Sequence, residues 1–204
     1  MKRNIFLLKG DSVIHNSKIY ELDMFIKDFK CPKRMDIYIL DEDLFIHDYP
    51  ITTKLYKNNT IDNIIKSVFG TDEDYLFDYK LDYKNKLVNI YAIKGGNRVS
   101  RLCANSTCIE VTPLQFEIWR KVKRKFKYRD YKLIYLFNGT YYFMEFKNRK
   151  LNKSFVKYVL DDIKDVIRNS DGNKIYIDSK IEGLNIKNTE KIDIRSILDE
   201  KILS

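Results

Sequence analysis

Two apolar-rich runs, residues 132–137 and 140–147, are separated only by Asn138-Gly139. Asn-Gly is the pair a two-residue hairpin turn demands, because both central positions need positive φ. A β-hairpin is therefore expected there, and it sets the pattern for the chain: strands joined by tight turns, interleaved with helices. A second hairpin is expected from 75–83 and 86–94 across Lys84-Asn85. The opening residues read as strands 5–8, 12–15 and 18–22 around Gly10-Asp11, then a short helix over 23–30 that stops before Pro32. Residues 36–40 and 44–49 are strands joined by the acidic turn Asp41-Glu42-Asp43, and Thr60 is the expected cap of a helix carrying Ile61, Ile64, Ile65 and Val68 on one face.

Further on, 97–106 reads as a polar loop leading to a strand over 107–111. Thr112, Pro113 and Gln115 have the spacing of a capping box. The helix they would open carries Leu114, Ile118 and Val122 every four residues, with Trp119 and Phe126 on the same stripe. Ser154 is the expected cap of a helix with Val156, Val159, Leu160, Ile163 and Ile167 on one face; 174–178 is a strand and 193–203 a last short helix. The order reads as α/β in two lobes, 1–111 and 112–204.

Composition narrows the class. With 44% hydrophobic and 33% charged residues the chain can build a core, and 7 Gly and 3 Pro exclude collagen-like or linker-rich designs. Three cysteines, an odd number, cannot close a disulfide framework. Cys103 and Cys108 have only His15 and His47 to complete a zinc site, at no familiar spacing, so no metal is expected. The N-terminus is too short in apolar residues for a signal peptide, and no apolar run approaches the ~18 residues that cross a bilayer. A cytoplasmic protein is expected.

Charge is concentrated. Residues 120–132 supply +7 of the chain's +9. Arg120, Lys121, Lys123, Arg124, Lys125 and Lys127 fall largely off the apolar stripe, so a basic helix over 120–127 is expected. It is either a solvated face or a docking surface for an acidic protein partner, with nucleic acid or anionic lipid behind. Base-reading motifs and repeated exposed aromatics are absent, which makes nucleic acid the poorer candidate.

One catalytic alternative is written into the same region. Asp130 opens a strand, and Glu145-Phe146-Lys147 ends its hairpin partner. Many restriction-type nucleases hold Mg²⁺ with two carboxylates so placed, while the Lys orients the attacking water. The competing account is an edge strand carrying cross-strand charge pairs.

The segment order over 1–186 resembles the cytoplasmic actin-like proteins of type IV pilus and type II secretion assembly, the PilM-like and GspL-like group. The resemblance rests on DIYILDEDLFIHDYPI (36–51), TIDNIIKSVFGTDEDYLFDYKL (60–81), KLVNIYAIK (86–94), CIEVTPLQFEIWRKV (108–122) and YKLIYLFNGTYYFMEFKNRKL (131–151). It implies a two-lobed, degenerate actin-like (ribonuclease-H-like) architecture with mixed sheets.

It also implies where nucleotide chemistry would sit. Actin-like ATPases hold phosphates and Mg²⁺ on two hairpins carrying Asp-x-Gly. Here the first hairpin reads Lys9-Gly10-Asp11-Ser12 and the second Phe137-Asn138-Gly139-Thr140, with no carboxylate before either Gly, and Gly183 alone remains of an adenosine loop. No cofactor and no ATP hydrolysis are expected. The resemblance implies a scaffold at the inner face of the cell membrane, truncated or stand-alone, that binds inner-membrane pilus or secretion proteins and the assembly motor ATPase.

Overall fold

The computed structural model describes residues 4–30, 32–51, 58–70, 74–104, 106–123, 125–168, 173–184, 186 and 188–196. In chain order its elements are β1 (Asn4–Lys9), β2 (Ser12–His15), β3 (Lys18–Glu21), α1 (Leu22–Asp28), β4 (Arg34–Ile39), β5 (Leu44–Pro50), α2 (Asn58–Phe69), β6 (Tyr75–Asp82), β7 (Leu87–Lys94), α3 (Gly96–Cys103), β8 (Cys108–Pro113) and α4 (Leu114–Val122). There follow β9 (Tyr131–Phe137), β10 (Thr140–Lys147), β11 (Lys150–Lys157), α5 (Leu160–Arg168), β12 (Lys174–Asp178) and β13 (Thr189–Ile192).

Two five-stranded sheets share one plan. The first runs β3-β2-β1-β4-β8 and the second β11-β10-β9-β12-β13. In each, three antiparallel strands are followed by two parallel ones. The equivalence places the β1–β2 turn at Gly10 and the β9–β10 turn at Gly139 in corresponding positions, and both glycines have positive φ (52° and 72°). A third, antiparallel sheet, β5-β7-β6, stands beside them, with α2 covering Val88 and Ile90.

One apolar cluster runs from the first sheet (Phe6, Leu8, Ile37, Ile39) through α4 (Leu114, Ile118, Val122) to the second (Leu133, Tyr135, Tyr142, Phe146). The four-residue stripe read from α4 is thus its core face. On the far side of the second sheet, Ile163 and Ile167 of α5 pack on Ile134, Phe143, Ile175 and Ile177.

The local differences from the sequence reading have physical reasons. Thr112 and Pro113 complete β8, so the helix starts at Leu114 without a side-chain cap. The parallel pairing Tyr38↔Thr112 and Ile39↔Pro113 prevails over the capping box. Likewise α2 begins at Asn58, before Thr60. The expected polar loop at 97–106 is mostly α3, an amphipathic helix of about two turns that buries Val99, Leu102 and Cys103 on one side. Ser154 and Val156 lie in β11, not in a helix. Asn148 and Arg149, with φ of 50° and 62°, make a tight turn that returns the chain along β10, with a register shift at Glu145/Phe146. Of the expected last helix, residues 197–203 lie outside the described residues; β13 precedes it and was not foreseen.

Candidate functional site

The place where the resemblance puts phosphates lies between the two equivalent turns, and protein groups occupy it. The Lys9 ammonium donates to the Asn138 carbonyl and so bridges the turns directly. Behind it the acidic turn Asp41-Glu42-Asp43 collects donors from across the fold. Asp41 Oδ2 accepts from the Gly10 amide at 2.5 Å and from the Tyr158 hydroxyl at 3.4 Å. Arg98, on α3, donates to the Gly10 carbonyl at 2.8 Å, pairs with Glu42 and lies 3.6 Å from Asp41 Oδ1. The Glu42 carbonyl accepts from Gln115 Nε2 at 2.8 Å, and Asp43 Oδ1 from the Val156 amide at 2.7 Å. The Tyr142 hydroxyl donates to the Leu40 carbonyl one residue upstream.

Burial pushes the Glu42 carboxyl above its usual range, and the Arg98 charge pulls it partly back. Burial also holds the stacked, parallel Tyr135–Tyr142 pair, 4.5 Å between ring centres, far above the ordinary phenol range. Arg98 reaches over Gly95 (φ 116°), where a Cβ would come within 3.0 Å of its guanidinium. None of these roles was visible in the sequence beyond the acidity of the turn.

The second feature is an open groove of about 490 Å³ between the small sheet and the first one. Leu44, Leu76, Phe77, Tyr91 and Ile93 form one wall, and 110–113 of β8 with Phe116, Glu117 and Arg120 of α4 the other. Among the described residues β6 pairs only with β7, and β8 only with β4, so both walls are sheet edges. Burial raises the Tyr91 phenol to about 12, and burial together with Glu117 does the same for Tyr38.

The basic residues do not form one helix. The helix ends at Val122, so Arg120 and Lys121 alone lie on it. Both serve the fully buried Glu117: Arg120 bonds it, and Lys121 lies 3.8 Å away. Lys123 is the first residue beyond, Lys125 and Lys127 sit exposed on irregular chain, and Arg124 lies outside the described residues. The chain leaves the helix because Phe126 is buried face to face with Tyr176, at 3.9 Å and 6°.

Of the three residues expected for a nuclease, Asp130 lies just before β9 rather than on it, and Glu145 and Lys147 both lie on β10; each is engaged with protein. Asp130 is exposed and accepts from the Asn148 amide at 2.6 Å. Glu145 stands opposite Lys132 and Lys153, accepts from Asn152 at 2.7 Å and lies 3.4 Å from Lys147 Nζ. The described residues contain no group of three or more His, Cys, Asp or Glu able to hold a metal.

No family model matches the sequence, and no curated protein matches it. Its fold is similar to several solved structures. A Bacteroides thetaiotaomicron protein with actin-like ATPase fold and unknown function has a TM-score of 0.56 and 10% identity, over 98% of this chain and 93% of that one. The cytoplasmic domain of EpsL, an inner membrane component of the type II secretion system of Vibrio cholerae, gives 0.53 and 11%, over 98% and 93%. A chain of the PilM-PilN type IV pilus biogenesis complex gives 0.61 and 7%, over 99% and 92%. The protein therefore has a mixed α/β, actin-like ATPase fold. The expected resemblance to PilM-like and GspL-like proteins is present as a likeness of fold.

Proposed function

We propose that this chain is a non-catalytic scaffold of a type IV pilus or type II secretion inner-membrane platform, peripheral at the inner face of the membrane. It would hold the cytoplasmic tail of a membrane partner, with the assembly motor ATPase as a second partner. The groove carries this reading. Two edge strands, beside which no further strand lies among the described residues, offer backbone to an extended segment, and aromatic and aliphatic side chains between them accept its apolar residues. Glu117 and Arg120 pair with each other, and Asp78 and Glu110 add acidic groups to the walls, which favours a segment of net positive charge. Cytoplasmic stretches next to a membrane span carry that excess of Lys and Arg. No helix among the described residues is long and apolar enough to cross a membrane, so attachment through a partner is consistent.

Non-catalytic status is supported by the turn chemistry. Neither turn places a carboxylate before its Gly, and Lys9 is engaged with the opposite turn. The two lobes, 1–111 and 112–204, then act as one body clamped by the Asp41–Asp43 turn. A photo-crosslinker in place of Phe77 should form an adduct with the tail of a membrane component of the platform. Phe77→Asp, at a partly exposed position, should weaken binding of that tail at least about tenfold and leave the melting temperature nearly unchanged. Unaltered tail binding by the variant would remove the groove from the account.

A further inference from the structure

The tight turn between β10 and β11 is bonded onto the chain that follows α4. The Arg149 amide donates to the Arg129 carbonyl at 2.8 Å, the Asn148 amide to Asp130 at 2.6 Å, and Trp119 Nε1 to the Arg149 carbonyl at 3.2 Å. Two segments apart in sequence thereby present Lys123, Lys125, Lys127, Arg129, Lys147 and Arg149 on one exposed surface. Among the described residues two carboxylates stand with them, Asp130 bonded by the Asn148 amide and Glu145 by Asn152 and Lys147, so the cations outnumber the acids six to two.

We infer that this composite surface docks on an anionic bilayer. Its cations stand on the irregular chain after α4, at the end of β10 and on the β10–β11 turn. Four of the six are Lys, point charges on flexible stems that suit a fluid layer of headgroups better than the fixed carboxylates of a protein, where a planar Arg fork is favoured. Tyr128, 51% exposed in their midst, has the apolar body and polar tip that settle at a membrane–water boundary. Arg120, which lines the groove, lies three residues before Lys123, so the surface adjoins that end of the groove. A duplex would be gripped by the same cations, but a phosphate backbone calls for a tracking groove or base-stacking platform, which loops of this kind do not build. Each cation near an anionic leaflet strengthens attachment about fivefold, and salt screens the effect.

The full chain should float with vesicles of phosphatidylcholine containing about one-third phosphatidylglycerol, should ignore pure phosphatidylcholine, and should detach as salt rises. The variant Lys125→Glu/Lys127→Glu/Lys147→Glu should partition about a hundredfold less while melting as the wild type does. The groove variant Phe77→Asp should float normally, which separates failure of this surface from failure of the groove. Tyr128→Ala, which leaves every charge in place, should weaken attachment by a smaller factor. The inference is overturned if the wild type ignores anionic vesicles, if it binds uncharged ones equally, or if the triple variant floats unchanged. It is equally overturned if the wild type passes over the vesicles and the triple change instead abolishes binding to duplex DNA or to an acidic protein of the platform.

Discussion

Replacing Arg98 by alanine should cost the protein about 3 kcal/mol or more, read as a fall in melting temperature of roughly 6–12 °C for a domain of this size. Among the described residues the Arg98 guanidinium is the cation that pairs with Asp41 and Glu42, and the three side chains are 13%, 7% and 26% exposed. Removing it strands two carboxylates where water reaches them poorly, and it also frees the Gly10 carbonyl. Breaking a shielded pair from one side is far more damaging than replacing both partners, because the remaining charge keeps its desolvation cost. Two comparisons give the result meaning. Arg98→Lys should be intermediate, since it restores the charge without the fork that reaches both Gly10 and Glu42. Arg98→Ala/Glu42→Gln should recover part of the loss. A melting temperature for Arg98→Ala within about 2 °C of the wild type would show that the acidic turn holds the lobes without its cation.

Stability should collapse between about pH 10 and pH 12, earlier and more steeply than in a protein whose tyrosines are exposed. Burial raises Tyr38 and Tyr91 to about 12 and holds Tyr131, Tyr135 and Tyr142 higher still. The sign follows from linkage. A group whose pKa is higher in the folded state contributes fully below the unfolded value near 10, and that contribution is lost as pH rises through the folded value. A shift of this size at Tyr91 alone is worth about 2–3 kcal/mol. Thermal melts read at increasing pH, with phenolate absorbance followed in parallel, should show the buried tyrosines ionising together with unfolding. Tyr142→Phe should lose about 1–2 kcal/mol at neutral pH with its bond to the Leu40 carbonyl, yet show a shallower alkaline decline. Exposed tyrosines ionise at about pH 10 with the fold intact; ionisation of the whole tyrosine complement by about pH 11 without unfolding would contradict the burial of these rings.

What could be read from the sequence was what neighbouring residues decide. Asn138-Gly139 dictated a hairpin, and φ values of 46° and 72° show the turn it needs. The apolar spacing of α4 gave its buried face correctly. Errors arose where distant partners overrule local pattern. Val156, Val159, Leu160 and Ile163 have helical spacing, but Val156 pairs with Tyr142 in β11. The stripe on α4 continues to Phe126, yet the helix stops at Val122 because Tyr176, fifty residues away in sequence, offers Phe126 a better place. The acidic turn looked like a plain connector, since Arg98 is 56 positions from Glu42 and 88 from Gly10. The basic residues were found as a cluster but misassigned in shape: two neutralise Glu117, a buried acid that the pattern placed on a helix without hinting at its depth.

The doubled sheet plan bears on how the chain is made. Parallel neighbours cannot be joined by a tight turn, so β1 must wait for β4, and β4 must wait for β8, before the first sheet is complete near residue 113. Everything needed for that half is synthesised before β9, so the first half can assemble while the second is still being translated. The bonds that seal the two halves, Tyr142 to Leu40 and Lys9 to Asn138, span 102 and 129 positions and can form only afterwards. Closing such long loops is slow, which makes the seam between the halves the last part of the molecule to set.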